Sequence, residues 1–308
     1  PIFFAQDPVT AGMLIESGAD VNAADSEGRT ALSCALQNSN PALADYLIDS
    51  DAELDARDAA GRTALFYAGD AELAVKMAAK GADKNIRDAN GLTPLLAFLQ
   101  RENLVMAETM AELGADINAR DANGNSPLHV LVSRENYEAA ERFIEKGADV
   151  NARNLEGRTP LFYSNNAGVI AMLAARGADM NAADNNGWTP VMNAIVSGYC
   201  EAVNYFVDNG AELNAVNRNG FTALYFVNDT ALFEKMVEKG ARKLSGHKTR
   251  PAAVEEESQK NPKSTVAGAD HEKASAPENT ETITTFVIDV DKADLDALAK
   301  MIEKGGSL

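Results

Sequence analysis

Cysteine is nearly missing from this chain, with two in 308 residues, Cys34 and Cys200. That excludes the dense disulfide framework of small secreted domains. Histidine is almost as scarce, at three, and Trp188 is the single tryptophan. Aromatic residues make up only 6%, so a core has to be built from Ala, Leu and Val. No run of 18 apolar residues occurs, which argues against membrane insertion through a helix. Positive charge is in the minority: 28 Lys and Arg stand against 46 Asp and Glu, a net charge of −18. Such an acidic field repels phosphate backbones and argues against nucleic acid. It attracts and steers a basic protein partner. No nucleophile elbow, phosphate loop or His-x-Glu metal pattern is present. Neither catalytic residues nor cofactor or metal ligands are therefore expected. Asp289, Asp291, Asp294 and Asp296 imitate a calcium loop, but that loop needs Gly at its sixth position and Glu at its twelfth. Asp294 and Lys300 stand there, so the acids read as a helix N-terminal cluster. The chain opens on Pro1 rather than Met, so both a cytoplasmic location and export behind a removed leader stay open.

What is present is a repeat. Gly-Ala-Asp or a close variant begins at Gly18, Gly81, Gly114, Gly147, Gly177 and Gly210, with weaker copies at Asp51 and Gly240. The central alanines are spaced by 33 or 30 residues. A period of that size over most of a chain means stacked supersecondary units, each burying its apolar face on the next. Cys34 and Cys200 then lie five units apart, roughly 50 Å at about 10 Å per layer, far beyond disulfide reach.

Within one unit, Gly114 reads as a left-handed helix C-terminal glycine. Asn118, Asp121 and Gly124 follow at turn spacing and suggest a short β-hairpin finger. Ser126-Pro127 opens a first helix as N-cap and first helical residue. Ala140, Phe143 and Ile144 mark a second helix. The segment Asp121-Ala-Asn-Gly124-Asn-Ser-Pro-Leu-His129 resembles the ankyrin-repeat pattern, Asp-x-x-Gly-x-Thr-Pro-Leu-His, as do the segments at Asp88 and Asp184. Weaker forms occur at Thr30, Thr63 and Thr222. The resemblance implies an all-α ankyrin-repeat solenoid of about nine repeats, partial ends included, over residues 1–244. It also implies a protein-binding surface along fingers and first helices, with His129 supporting a local hydrogen-bond network.

Units ending at Gly81, Gly177 and Gly240 are three residues short, and the chain starts inside another. The loss falls between the threonine and the terminal glycine and removes almost one helical turn. Each short unit carries an aromatic doublet: Phe3-Phe4, Phe66-Tyr67, Phe162-Tyr163 and Tyr225-Phe226. The rings are expected to fill the missing volume. Neighbouring residues on a helix diverge, so one ring should pack while the other faces the concave surface. Asp7, Asp70 and Asp229 are expected as N-caps of the helices that follow.

Past Leu244 the pattern stops. Residues 245–282 are rich in Ser, Lys, Glu, Ala and Pro, lack aromatics and read as a linker or an insertion in the last finger. Residues 283–308 read as a degenerate capping repeat, with Leu295, Leu298, Met301 and Ile302 on one helical stripe. The β-branched run 283–290 suits a strand equally well.

Two surface features carry the functional expectation. Arg57, Arg87, Arg120 and Arg153 occupy one position in four consecutive fingers. They read either as a solvated ladder paired with neighbouring Asp or as a positive strip for carboxylates. Between the finger glycine and the threonine stand Arg29, Arg62, Leu92, Asn125, Arg158, Trp188 and Phe221, at a position expected to meet water. Trp, Tyr and Arg anchor interfaces. Trp188, Phe221, Tyr67, Tyr163, Phe226 and Arg158, with the four ladder arginines, are therefore the expected partner-binding residues. The expected function is a non-enzymatic protein-binding scaffold, monomeric when unbound. The alternative is an inhibitor or immunity protein that covers the active site of a basic, secreted enzyme, as some bacterial ankyrin-repeat proteins do.

Overall fold

The computed structural model describes residues 2–242. The expected linker at 245–282 and capping repeat at 283–308 lie outside the described residues, and so does the ninth unit. Among the described residues there are twelve α-helices, four 3-10 turns and no strand. The first unit sets the 3-10 turn Ile2–Phe4 before α1 (Pro8–Glu16), and the second pairs α2 (Ala31–Gln37) with α3 (Pro41–Asp49). The third sets Ala64–Tyr67 before α4 (Ala71–Ala79). The fourth pairs α5 (Pro94–Gln100) with α6 (Leu104–Glu112), and the fifth α7 (Pro127–Ser133) with α8 (Tyr137–Glu145). The sixth sets Pro160–Tyr163 before α9 (Ala167–Ala175). The seventh pairs α10 (Pro190–Val196) with α11 (Cys200–Asp208), and the eighth sets Ala223–Phe226 before α12 (Thr230–Glu238).

The three-residue loss therefore acts on the first helix. Every long unit has seven residues there, whereas the internal short units keep a four-residue 3-10 turn. The exit changes too. Long units pass through a left-handed residue, Ser39, Glu102, Glu135 or Gly198, with φ of 54, 61, 60 and 71°. In the short units Ala68, Ser164 and Val227 are extended and lead straight to the next cap. Asp7, Asp70 and Asp229 cap as expected, accepting N–H groups of Thr10, of Glu72 and Leu73, and of Leu232. The second helix keeps nine residues in every unit.

The Gly-Ala pair closes each second helix. At Gly114 the glycine N–H donates to Ala111 O (3.2 Å) and the Ala115 N–H to Met110 O (3.0 Å). This pairing needs a left-handed residue, which glycine adopts without steric cost. Asp51 does the same job at φ 59° without being glycine.

Apolar burial runs along the stack. The elements that pack most closely are neighbours in sequence or in the adjacent unit, such as α1 with α3, α4 with α6 and α5 with α7. Phe66, Phe143, Phe206, Leu32, Leu65 and Leu95 are fully buried. Each such side chain contributes about 1.5–3 kcal/mol by leaving water. The aromatic doublets divide as expected in two units: Phe66 and Phe162 are buried, while Tyr67 and Tyr163 are half-buried. Phe66 sits with Leu92, Leu96, Ala97 and Ala119 of the following units. Tyr225 and Phe226 are both half-buried, a departure from the expected division.

Candidate functional site

The expected β-hairpin fingers are closed turns instead, with one isolated bridge, Ala24 to Thr30, among the described residues. Each finger begins with Asp or Asn: Asp25, Asp58, Asp88, Asp121, Asn154, Asp184 or Asn217. Its Oδ1 accepts the N–H groups two and four residues on, at 2.8–3.0 Å. The side chain thus takes donors that a strand ladder would need. Successive fingers are stitched by backbone bonds, such as Leu155 N–H to Asn123 O (2.9 Å) and Arg218 N–H to Asn186 O (2.8 Å). The contact is close: a Cβ on Gly124 would stand 2.8 Å from the Leu155 nitrogen.

The arginine ladder joins layer to layer. Arg57 donates to Arg87 O at 2.7 Å, Arg87 to Arg120 O, Arg120 to Arg153 O, and Arg153 to Ala183 O. Among the described residues these four arginines form no ion pair with neighbouring Asp, contrary to the solvated-ladder expectation. A free carbonyl of the next finger lies within reach, and a charged donor bonds it strongly.

The position before each threonine is not the exposed one expected. Leu92 is buried against Phe66 and Tyr67, and the other six are half-buried. For Arg62, Arg158 and Asn125 the cause is pairing with the following finger. Arg62 Nε lies 3.5 Å from Asp88 Oδ2 and Arg158 Nε lies 3.4 Å from Asp184 Oδ2, both carboxylates being 1% exposed. Asn125 Oδ1 accepts from Asn154 Nδ2 at 2.9 Å.

Three of the expected aromatic residues come together. Trp188 ends the finger of the seventh unit, Phe221 ends that of the eighth, and Phe226 closes the 3-10 turn after it. Trp188 and Phe226 stack with centroids 4.8 Å apart at 28°. Phe221 meets the edge of Phe226 at 5.9 Å. Tyr225, absent from the sequence-based set, is the fourth member, stacked on Phe221 at 4.0 Å and 11°. Its place in the doublet was visible; its half-exposure was not, because Phe66 and Phe162 at the same position are buried. All four rings are half-buried.

Tyr67 and Tyr163 stand in other units and are tied to their own fingers. The Tyr67 hydroxyl donates to Asp58, and burial together with that carboxylate holds its pKa up. The Tyr163 hydroxyl accepts from Asn154 Nδ2 at 2.9 Å. His129 supports the local network as expected, its Nδ1 accepting from Ser126 N–H (3.1 Å), and it also links units, its Nε2 donating to Arg158 O (3.0 Å). Burial lowers the imidazole pKa and keeps the ring neutral. Among the described residues no cluster of His, Cys, Asp and Glu is placed to hold a metal. No helix there is long and apolar enough to cross a membrane.

A family model for ankyrin repeats (3 copies) matches residues 5–88, 68–154 and 132–217. Among solved structures, the chain is similar to the crystal structure of the ankyrin repeat domain of Bcl-3, described as a unique member of the IkappaB protein family. The two share 23% identity and a TM-score of 0.62, over 69% of this chain and 100% of that one. A likeness at that identity speaks for the fold. Comparison with curated proteins gives no match.

Proposed function

The chain belongs to the ankyrin-repeat family, and on that premise we propose that it is a non-enzymatic scaffold holding a protein partner along its fingers and first-helix positions. The family's general role in protein–protein contact supports this reading. The observation that carries it is the cluster of Trp188, Phe221, Tyr225 and Phe226. Four large rings, none fully buried, gather where the fingers of Arg62, Asn125 and Arg158 hold Arg–Asp or Asn–Asn pairs. Aromatic anchors of this kind supply most of an interface's energy. Arg158 lies one finger before Trp188 and extends the surface. Tyr67, Tyr163 and the exposed ladder of Arg57, Arg87, Arg120 and Arg153 lie along the same row of fingers and offer a polar rim. The net charge of −18 favours a basic partner.

The test is partner capture by the full chain, compared with a Trp188→Ala, Phe221→Ala double variant of unchanged helical content. Capture should be lost in the variant. Undiminished capture would remove the cluster from the interface. Recovery of an enzyme with suppressed activity would narrow the scaffold to an inhibitor.

A further inference from the structure

Beneath the aromatic cluster lies a buried amide with nothing to bond. Asn217 is 4% exposed. Its Oδ1 accepts from Asn219 N–H and Phe221 N–H, both at 3.0 Å, which fixes the orientation of the side chain. Its Nδ2 has no partner among the described residues. The equivalent Asn154 shows what is missing. Asn154 Nδ2 donates to Asn125 Oδ1 of the preceding finger and to the Tyr163 hydroxyl nine residues on, both at 2.9 Å. The same offsets from Asn217 lead to Trp188 and Phe226. Neither ring supplies an acceptor, because an indole only donates and a phenyl does neither. An unmade buried donor costs about 1–3 kcal/mol. The Trp188 indole N–H also lacks a bond among the described residues, so two N–H donors and four ring faces share one place.

Resting on the scaffold reading, we infer that this place receives a proline-rich segment of the partner in polyproline II conformation. The chemistry selects it by elimination. An unsatisfied buried amide donor and an indole N–H open to water, both beside the rings, disfavour a lysine or arginine tip there. A net charge of −18 opposes a carboxylate. What fits is a neutral chain rich in acceptors and apolar faces. A polyproline II segment has no internal hydrogen bonds, so its carbonyls are available, and proline rings lie well on aromatic faces. Its preset backbone also loses little entropy on binding. Basic residues flanking the prolines complement the acidic array. Trp188 turns off the face of Phe226 on binding, and a carbonyl of the segment takes the amide hydrogen of Asn217.

The test titrates the full chain with a labelled oligoproline flanked by lysines, against a glycine-serine peptide of the same length and charge. The oligoproline should bind saturably and shift the emission of Trp188, and the control should not. Phe226→Tyr copies the arrangement at Tyr163, gives Asn217 its missing acceptor and keeps the ring. It should raise the urea midpoint while weakening oligoproline binding about tenfold. Trp188→Asn, which copies Asn125, should abolish binding in a folded protein. Equal affinity for both peptides, no binding, or full affinity in Phe226→Tyr would overturn the inference. Should the Trp188→Ala, Phe221→Ala variant still lose its protein partner in that event, the scaffold reading stands and only the proline-rich ligand falls.

Discussion

Arg158 holds Asp184 from the finger before it: Nε stands 3.4 Å from Oδ2, while the other carboxylate oxygen accepts the Trp188 N–H at 2.9 Å. Through His129, whose Nε2 donates to Arg158 O, the support reaches back to α7. Arg158→Ala leaves a carboxylate that is 1% exposed without its cation. The expected loss is about 1–3 kcal/mol in urea unfolding, with Trp188 emission moving to the red as its finger loosens. A variant with unchanged midpoint and spectrum would show that the pair is idle.

Acid should weaken the array through His129. Burial holds the folded-state pKa below the usual 6.5 or so, and the neighbouring Arg120 charge acts in the same direction. The unfolded chain therefore takes up a proton first. Stability is complete above about pH 6.5 and falls as pH drops from there toward the folded value. Replacing His129 with Gln should flatten the melting temperature between about pH 7 and 5, at some fixed cost. A wild-type profile that is already flat in that window would contradict the assignment.

Phe66 stands in the 3-10 turn that replaces a full first helix in its unit. It is 0% exposed and touches Leu92, Leu96, Ala97 and Ala119. Phe66→Ala should cost about 3–5 kcal/mol. Tyr67→Phe, which removes only the hydroxyl bonded to Asp58, should cost about 1 kcal/mol. Urea unfolding of the two variants side by side checks the ranking.

Asp51 sits at φ 59° where the other units carry glycine. A left-handed non-glycine residue costs about 1–2 kcal/mol, partly offset by the extra freedom glycine loses on folding. Asp51→Gly should raise stability by up to about 1 kcal/mol, read as a higher urea midpoint. A lower midpoint would mean that the aspartate contributes a bond of its own.

The layered fold was legible because its signals are local. Gly114, Asp121 and Ser126 each announce their backbone state through propensity alone. Asp70 and Asp229 could be named as caps for the same reason. The arginine ladder was legible as a row but not as bonding, because the carbonyl that Arg57 reaches belongs to Arg87, in the next unit. The position of Leu92 and Arg158 was misjudged for a related cause. Its exposure depends on what the following finger and aromatic doublet place over it. Trp188, Phe221 and Phe226 were found by their chemistry, whereas Tyr225 and Asn217 needed the coordinates. Only comparison of Asn217 with Asn154 in space reveals a donor whose two acceptors, an amide oxygen and a hydroxyl, have both been lost.

Three residues before each finger stands an Asn, or Asp55 in one unit, and this row has a practical meaning. Asn118 Oδ1 accepts the Asp149 N–H and its Nδ2 donates to Gly147 O, so each unit hooks the start of the next. At Asn214 the same hook closes on Gly240 O (3.0 Å) and the Arg242 N–H (2.8 Å). A truncation meant to preserve the eighth layer must therefore retain Arg242. A fragment ending at α12 would leave Asn214 grasping solvent and invite fraying from the very edge that displays Phe221, Tyr225 and Phe226.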